Sequence, residues 1–328
     1  MENQIFLSIV IPVYNGSETI SRCLDSIWSQ GLNENEYEVI CVNDCSTDNT
    51  MEVISRIQKN HTNLRLLSNE HNKRAGGCRN YGVREAKGEY ILFIDADDYF
   101  DAGMADAINY LKGVCLDILM IGFARETRGV PNHKLVHNCS NLEVLTGNEF
   151  LEKNMIPYGP CQYFFKRSLM LDNHIFFVEQ VQCEDVDWSH RLAFCATRMQ
   201  FKPFLVSHVV LNDKSQTATE HTSLASVAAK FFAGYRMLAL MESYGLHADY
   251  LRGVGTSYIK EGIKYMTAVS APISEKVRVI KKYIPEDKKL PLYIRVIRSF
   301  PHSFGILSNV FSPIVSTIIS FKRKFVGR

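Results

Sequence analysis

The stretch from Ile91 to Phe100, "ILFIDADDYF", runs from an apolar segment straight into Asp95, Asp97 and Asp98. In an extended chain successive side chains alternate, so Asp95 and Asp97 share one side and Asp98 takes the other. Two unit charges about 4 Å apart interact by roughly 4 kcal/mol at an effective dielectric of about 20. Carboxylates crowded this way are comfortable beside a cation, which inverts the local field. A hard divalent ion such as Mg²⁺ or Mn²⁺ takes one or two protein carboxylates and fills its other positions with water and phosphate oxygens. A solvated turn is the plainer reading of a single Asp-x-Asp, so the rest of the chain has to decide.

Two further polar clusters bear on the choice. "VNDCSTDNT", Val42 to Thr50, places Asp44 ahead of hydroxyls, of which Ser46 or Thr47 is expected to cap a following helix. "CEDVDWSHRLAF", Cys183 to Phe194, gathers Glu184, Asp185 and Asp187 at a helix start, where the dipole favours negative charge. His190 and Trp188 in that segment read as packing or acceptor-side residues.

The elements that must position these acids follow from hydrophobic periodicity. Apolar runs at Leu7–Val13, Tyr37–Val42, Leu64–Leu67, Tyr90–Ile94 and Ile118–Phe123 read as buried strands. Ile20, Cys23, Leu24, Ile27 and Trp28 form the stripe of an amphipathic helix between the first two. Further helices pass through Val53, Ile54 and Ile57, and through Tyr81 to Ala86. Strands alternating with helices imply βαβ units and a mostly parallel sheet flanked by helices. Ligands of such sheets bind at the carboxyl ends of the strands. "YNGSE", "NDCSTDNT" and "DADD" all fall at such ends. From Asn141 to about Lys214 the pattern is irregular, and a helix is expected over Ala225–Ser243, stopping near Gly245.

The blocks "IPVYNGSETISRCLDSIWSQ", "VNDCSTDNT", "GGCRNYGVREAKGEYILFIDADD" and "EDVDWSHRLAF", in this order over roughly residues 6 to 215, resemble a family 2 glycosyltransferase of the GT-A fold. The resemblance implies inverting transfer of a sugar from a nucleoside diphosphate to an acceptor hydroxyl. It assigns Pro12, Tyr14 and Asn15 to the nucleotide pocket, Asp44 to the base, and Arg79 to the neighbourhood of the phosphates. Asn43 departs from the commoner Asp-Asp pair at the second strand's end. By the same resemblance Asp95 reaches the ribose or a metal-bound water, Asp97 binds Mn²⁺ or Mg²⁺ directly, and Asp98 is structural. Asp185 becomes the general base, with Glu184 its neighbour. "YGPCQYFFKRS" lies beside the acceptor, and "NDKSQT" occupies the place of a loop over the donor. His208 is a third metal ligand or a plain core or surface histidine.

Composition sets the outer limits. The 328 residues are 46% hydrophobic and 22% charged, which fits a globular chain. The nine cysteines include no Cys-x-x-Cys pair, which argues against a zinc site and for reduced thiols in a cytoplasmic protein. The formal net charge of +2 is uneven: from Lys260 to Arg328, 14 Lys/Arg stand against 4 Asp/Glu. That basic tail includes the apolar stretch Phe304–Phe321, interrupted by Pro313, and is read as a peripheral contact with the inner face of the cell membrane. Nothing in it resembles a nucleic-acid module. The expected organisation is a GT-A domain over residues 1–220 and a helical C-terminal region over 221–328. The expected function is metal-assisted transfer from a UDP-sugar to a glycan or lipid-linked glycan, of the bacterial surface-polysaccharide type. The alternative is a nucleotide-sugar-binding protein without catalysis.

Overall fold

The computed structural model describes residues 5–127, 130–136, 142–153, 159–211, 223–244, 248–284, 290, 292–299 and 301. Contacts divide the chain into two compact units, Met1–Asn212 and Asp213–Arg328. The tail stretch Phe304–Phe321 and the "NDKSQT" segment lie outside the described residues. Among the described residues, no helix is long and apolar enough to cross a membrane.

The first unit is built on β1 (Leu7–Val13), β2 (Tyr37–Asn43), β3 (Leu64–Ser68) and β4 (Tyr90–Phe93), all parallel to their neighbours in the order β3-β2-β1-β4. Every residue of β1, β2 and β4 is buried, as a sheet covered on both faces requires. The register pairs Val13 with Asn43 and Val10 with Phe93, so the carboxyl ends open along one edge. Pro12 lies past Val10, the last residue of β1 that pairs with β4, so its missing N–H leaves no gap on that side.

The helices α1 (Ile20–Trp28), α2 (Thr50–Gln58) and α3 (Arg74–Glu85) join these strands. α1 buries Ile20, Cys23, Leu24 and Ile27, the expected stripe, in the core formed with Ile9, Ile11, Val39 and Leu92. α2 starts later than the hydroxyl pattern suggests. Asp48, not Ser46 or Thr47, bonds its first turn, Thr50 N–H donating to Asp48 Oδ1 at 3.1 Å. A carboxylate two residues ahead of Thr50 outcompetes the hydroxyls because it reaches both Thr50 and Ser17 N–H, the latter at 3.1 Å.

Beyond β4 the sheet changes character. β5 (Tyr99–Phe100), β6 (Ile118–Thr127), β7 (Val130–Val136), β8 (Tyr163–Lys166) and β9 (Met199–Leu211) complete a nine-stranded sheet in the order β3-β2-β1-β4-β8-β6-β9-β5, with β7 beside β6. β8 runs antiparallel to both β4 and β6, and β5 antiparallel to β9. The sheet is therefore mixed, parallel from β3 to β4 and largely antiparallel beyond. Helices α4 (Gly103–Gly113), α5 (Gly147–Lys153), α6 (Arg167–Asp172) and α7 (Asp185–Cys195) flank this half.

The second unit is helical: α8 (Leu224–Tyr244), α9 (Ala248–Ala268), α10 (Ile273–Tyr283) and α11 (Leu292–Ser299). Val227, Phe231, Ile259, Met266, Ile280, Ile294 and Ile297 form its core. α8 and α9 touch backbone to backbone, since a Cβ on Gly234 would lie 2.6 Å from the Gly255 carbonyl oxygen.

One close approach fixes α3, the helix on which the site depends. A Cβ on Gly82 would fall 2.3 Å from Val10 Cγ1, so α3 rests directly on β1. Gly82→Ala is expected to cost about 1–3 kcal/mol in urea unfolding, the range for overpacked cores, although alanine favours the helix by about 1 kcal/mol. A variant as stable as the parent would show that the contact relaxes freely.

Candidate active site

The loops after β1 and β2 are stitched together by side chains. Asn15 N–H donates to Ser46 Oγ at 3.0 Å, Thr47 N–H to Asn15 Oδ1 at 2.8 Å, and Gly16 N–H to Thr50 Oγ1 at 2.9 Å. Asn15 sits at φ 50°, a left-handed conformation that asparagine tolerates better than most residues. Its amide is thus committed to the loop, while Tyr14 beside it is 57% exposed. Asp44 is buried. Its Oδ1 accepts from Asn69 Nδ2 and from Lys73 N–H, both at 2.8 Å, which organises the chain entering α3.

α3 carries the residue that joins the acidic clusters. Arg79 is only 3% exposed. Its Nη2 donates to Asp95 Oδ1 at 2.6 Å and its Nη1 to Glu184 Oε1 at 3.0 Å. The guanidinium lies near the rings of Phe93 and Phe177, at 5.9 and 5.6 Å from their centroids. Burial works against its charge, but Asp95 foremost, together with Cys161 and Glu184, more than offsets this and holds the proton firmly. Next to it on α3, Asn80 exchanges two hydrogen bonds of 2.9 Å with the backbone of Phe177. Gly76 makes room for this segment, since a Cβ there would meet Glu184 Cγ at 2.9 Å. α3 therefore holds both the turn after β4 and the strand-like stretch that leads into α7.

Asp185 stands in the first turn of α7, partly buried behind Glu184. Burial, then the charge of Glu184, push its carboxyl up to about 7, with Arg79 pulling the other way. Asp187 is otherwise engaged, accepting from Arg191 Nε at 2.9 Å. His190 and Trp188 are fully buried. Trp188 stacks on Phe177 with centroids 4.4 Å apart, and burial lowers His190 to about 4, so it is neutral.

In the turn after β4, Asp98 N–H donates to the Asp95 carbonyl at 3.0 Å, closing a tight reversal. Asp98 Oδ1 accepts from Val210 N–H at 2.8 Å. The carboxyl of Asp97 is pushed up by burial and by Asp95 beside it. A cation at Asp97 would reverse that shift. Among the described residues no three His, Cys, Asp or Glu side chains converge on one point. The turn thus offers one or two carboxylates, which suits Mg²⁺ or Mn²⁺ completed by water and diphosphate oxygens. His208 does not complete a cluster with Asp95 and Asp97. It is 1% exposed, bonded to Asp101 Oδ2 at 2.6 Å, stacked on Tyr99, and lines a cleft of about 390 Å³.

The arrangement places the carboxylates of Glu184 and of the acidic turn on two sides of one buried cation, Arg79. Residues 8–170 match the family model described as glycosyl transferase family 2. Those residues form a domain of that family. The chain is 34% identical over 182 residues to a poly(ribitol-phosphate) beta-glucosyltransferase of Bacillus spizizenii, covering 55% of this chain and 28% of that protein. It is 28% identical over 251 residues to the poly(ribitol-phosphate) beta-N-acetylglucosaminyltransferase TarS of Staphylococcus aureus, covering 74% of this chain and 41% of that one. The chain thus spans less than half the length of these two relatives. Its GT-A fold matches the crystal structure of S. aureus TarS 1–349 in complex with UDP-GlcNAc at a TM-score of 0.67 and 21% identity, covering 92% of this chain and 88% of that one.

Sequence reasoning named Asp44, Asp95, Asp97, Glu184 and Asp185 but not Glu126, nor the link that Arg79 makes between the acidic clusters. Arg79 and Glu184 are 105 residues apart, and no local pattern reports their pairing. Arg22, which reaches the turn from α1, was also missed, because a charge on the open face of an amphipathic helix reads as solvated.

Breaking a buried ion pair from one side costs about 3–5 kcal/mol. Arg79→Met is expected near the lower end, about 3 kcal/mol, because the Asp95 side chain is 42% exposed and can recover solvent. Thermal or denaturant unfolding of the variant measures this. A loss below about 1 kcal/mol would show that Asp95 and Glu184 do not need the guanidinium for folding.

Proposed function

We propose that this protein transfers a sugar from a UDP-sugar to a hydroxyl of a glycan or lipid-linked glycan, with inversion at the anomeric carbon. The observation that carries the reading is the pairing of Arg79 with both Asp95 and Glu184, which ties the acidic turn to the carboxylate of Asp185. A base works best with a pKa near the working pH, and Asp185 is held at about 7. In this reading Asp185 takes the acceptor's proton as its oxygen forms the new bond to the anomeric carbon. The bond from that carbon to the diphosphate breaks, and the diphosphate leaves with the electron pair.

Asp97 is the carboxylate that would hold Mn²⁺ or Mg²⁺, with Asp95 beside it. A bound divalent ion supplies Lewis-acid neutralisation of the departing diphosphate. Metal use is supported by a mannosyltransferase of Pyrobaculum calidifontis solved with GDP-Man and Mn²⁺, which shares the fold at a TM-score of 0.54 and 17% identity. Pro12, Tyr14, Asn15 and Asp44 line the nucleotide side in this proposal, with residues 1–220 as the catalytic region and 221–328 as a helical extension. The poly(ribitol-phosphate) transferases among its relatives support an anionic polyol-phosphate polymer among the acceptors, and the basic tail suits one. A cytoplasmic setting, peripheral at the inner face of the membrane, belongs to the same proposal, on the basic stretch from Lys260 to Arg328.

The pH dependence has a definite sign. Asp185 acts as a base only when ionised, and its folded pKa is raised, so kcat/KM should fall below about pH 7 and level off above it. Arg79 lowers that pKa, so Arg79→Lys, which keeps the charge but misplaces it, should move the midpoint upward. Asp185→Asn should lose about 10²–10⁴-fold in kcat while nucleotide binding persists. A profile flat from pH 5 to 8 would remove Asp185 from the role.

A thermal-shift panel of UDP, GDP, CDP and dTDP, with and without Mn²⁺, tests the donor site. Ligand at 100 times its Kd stabilises the folded state by about 2.7 kcal/mol. The expected result is a Mn²⁺-dependent shift with UDP that Asp97→Asn abolishes. Nucleotide binding with no transfer to any acceptor would instead favour the binding protein without catalysis.

A further inference from the structure

We infer that Arg22 is a positioning residue for the acidic turn, fixing the main chain of Asp97 so that its carboxylate faces the metal. The inference rests on the reading of Asp97 as a metal carboxylate. Arg22 lies on α1, outside the apolar stripe, and its side chain is 46% exposed. Its Nη2 donates to the Asp97 carbonyl oxygen at 3.2 Å. Its Nη1 lies 3.4 Å from both carboxylate oxygens of Glu126, and its guanidinium sits 4.5 Å from the centroid of the Tyr99 ring.

Those three contacts come from three parts of the fold. Glu126, near the end of β6, is 6% exposed, so its charge needs a partner. Tyr99 is next in chain to Asp98, and burial, with the carboxylate of Glu126 nearby, pushes its phenol up to about 12. On the far side, Asp98 is gripped by Val210 N–H of β9, and Val210 pairs in register with Glu126. The turn is thus clamped at Asp97 from α1 and at Asp98 from β9, with Glu126 bracing the guanidinium against the same strand pair. A planar guanidinium can serve a carbonyl and a carboxylate from a fixed fork while its face lies on a ring, whereas an ammonium is a compact point charge with no flat face to stack.

The rival account is that Arg22 merely offsets the charge of Asp95, Asp97 and Asp98. The two accounts predict opposite signs. A pure counter-charge repels a divalent ion, so removing it should tighten metal binding. A positioning residue, once removed, should weaken it, since outer partners of metal ligands are worth about 10–100-fold in affinity.

The test is calorimetric titration of Mn²⁺ into the full chain saturated with UDP, for wild type, Arg22→Met, Arg22→Lys, Glu126→Gln and the Arg22→Met/Glu126→Gln pair. Arg22→Met is expected to raise the Mn²⁺ Kd roughly tenfold, Arg22→Lys to recover part of it, and the double variant, which leaves no unpaired carboxylate at position 126, to fall short of additivity. Hydrogen exchange at the Asp98 and Val210 amides should quicken in Arg22→Met, a change that needs no metal. Unchanged or tighter Mn²⁺ binding by Arg22→Met overturns the inference while leaving the metal site standing. Failure of the wild type to bind Mn²⁺ with UDP overturns both together.

Discussion

A guanidinium removed from water must be neutralised where it sits, and Arg79 is neutralised by two carboxylates that belong to different loops. Its burial between Phe93 and Phe177 removes the solvent that would otherwise screen each pair, so the three charges are held to one geometry. The price of that arrangement is set by Gly76 and Gly82, which let α3 close onto the α7 approach and onto β1. Without those contacts the cation would sit higher, hydrated, and its hold on Asp95 and Glu184 would loosen. The environment of Asp185 follows from the same core: Glu184 is pinned beside it, and Arg79 tempers the effect.

The parts of the fold that the sequence made legible are those where one residue type repeats at one period. β1, β2 and β4 are mainly apolar runs, interrupted by Ser8, Glu38 and Asn43, because both faces of the sheet are covered, and α1 shows its stripe because one face alone is. The far half of the sheet was harder. β8 is four residues long and aromatic, and it reads equally well as a binding segment. β9 is partly exposed through Lys202 and Pro203, which breaks the apolar run. The antiparallel pairs of this half, β4 with β8, β8 with β6 and β5 with β9, carry no βαβ spacing to announce them.

The site divides the same way. Acids at strand ends were visible because polar residues after an apolar run are local events. Their partners were invisible because pairing is not local: Asp98 meets Val210, Arg22 meets Glu126, and His208 meets Asp101, each across about a hundred positions. Asp48 shows the limit on a smaller scale. Three residue types in "CSTD" can start a helix, and the choice fell to the one that also reaches Ser17 on the neighbouring loop.

The strand order has a consequence for how the chain is made. β1 is apolar but for Ser8, and its partner β4 ends at Phe93, some eighty residues later. At a synthesis rate of about 5–20 residues per second, one edge of β1 has no mate for roughly 4–16 s. β4 then waits in turn for β8, which lies beyond residue 160. Each stage presents a bare apolar strand edge, the feature that recruits unwanted strands from other molecules. The topology that brings the strand ends to one crevice therefore makes the growing chain a client for chaperones until the middle of the sheet is closed.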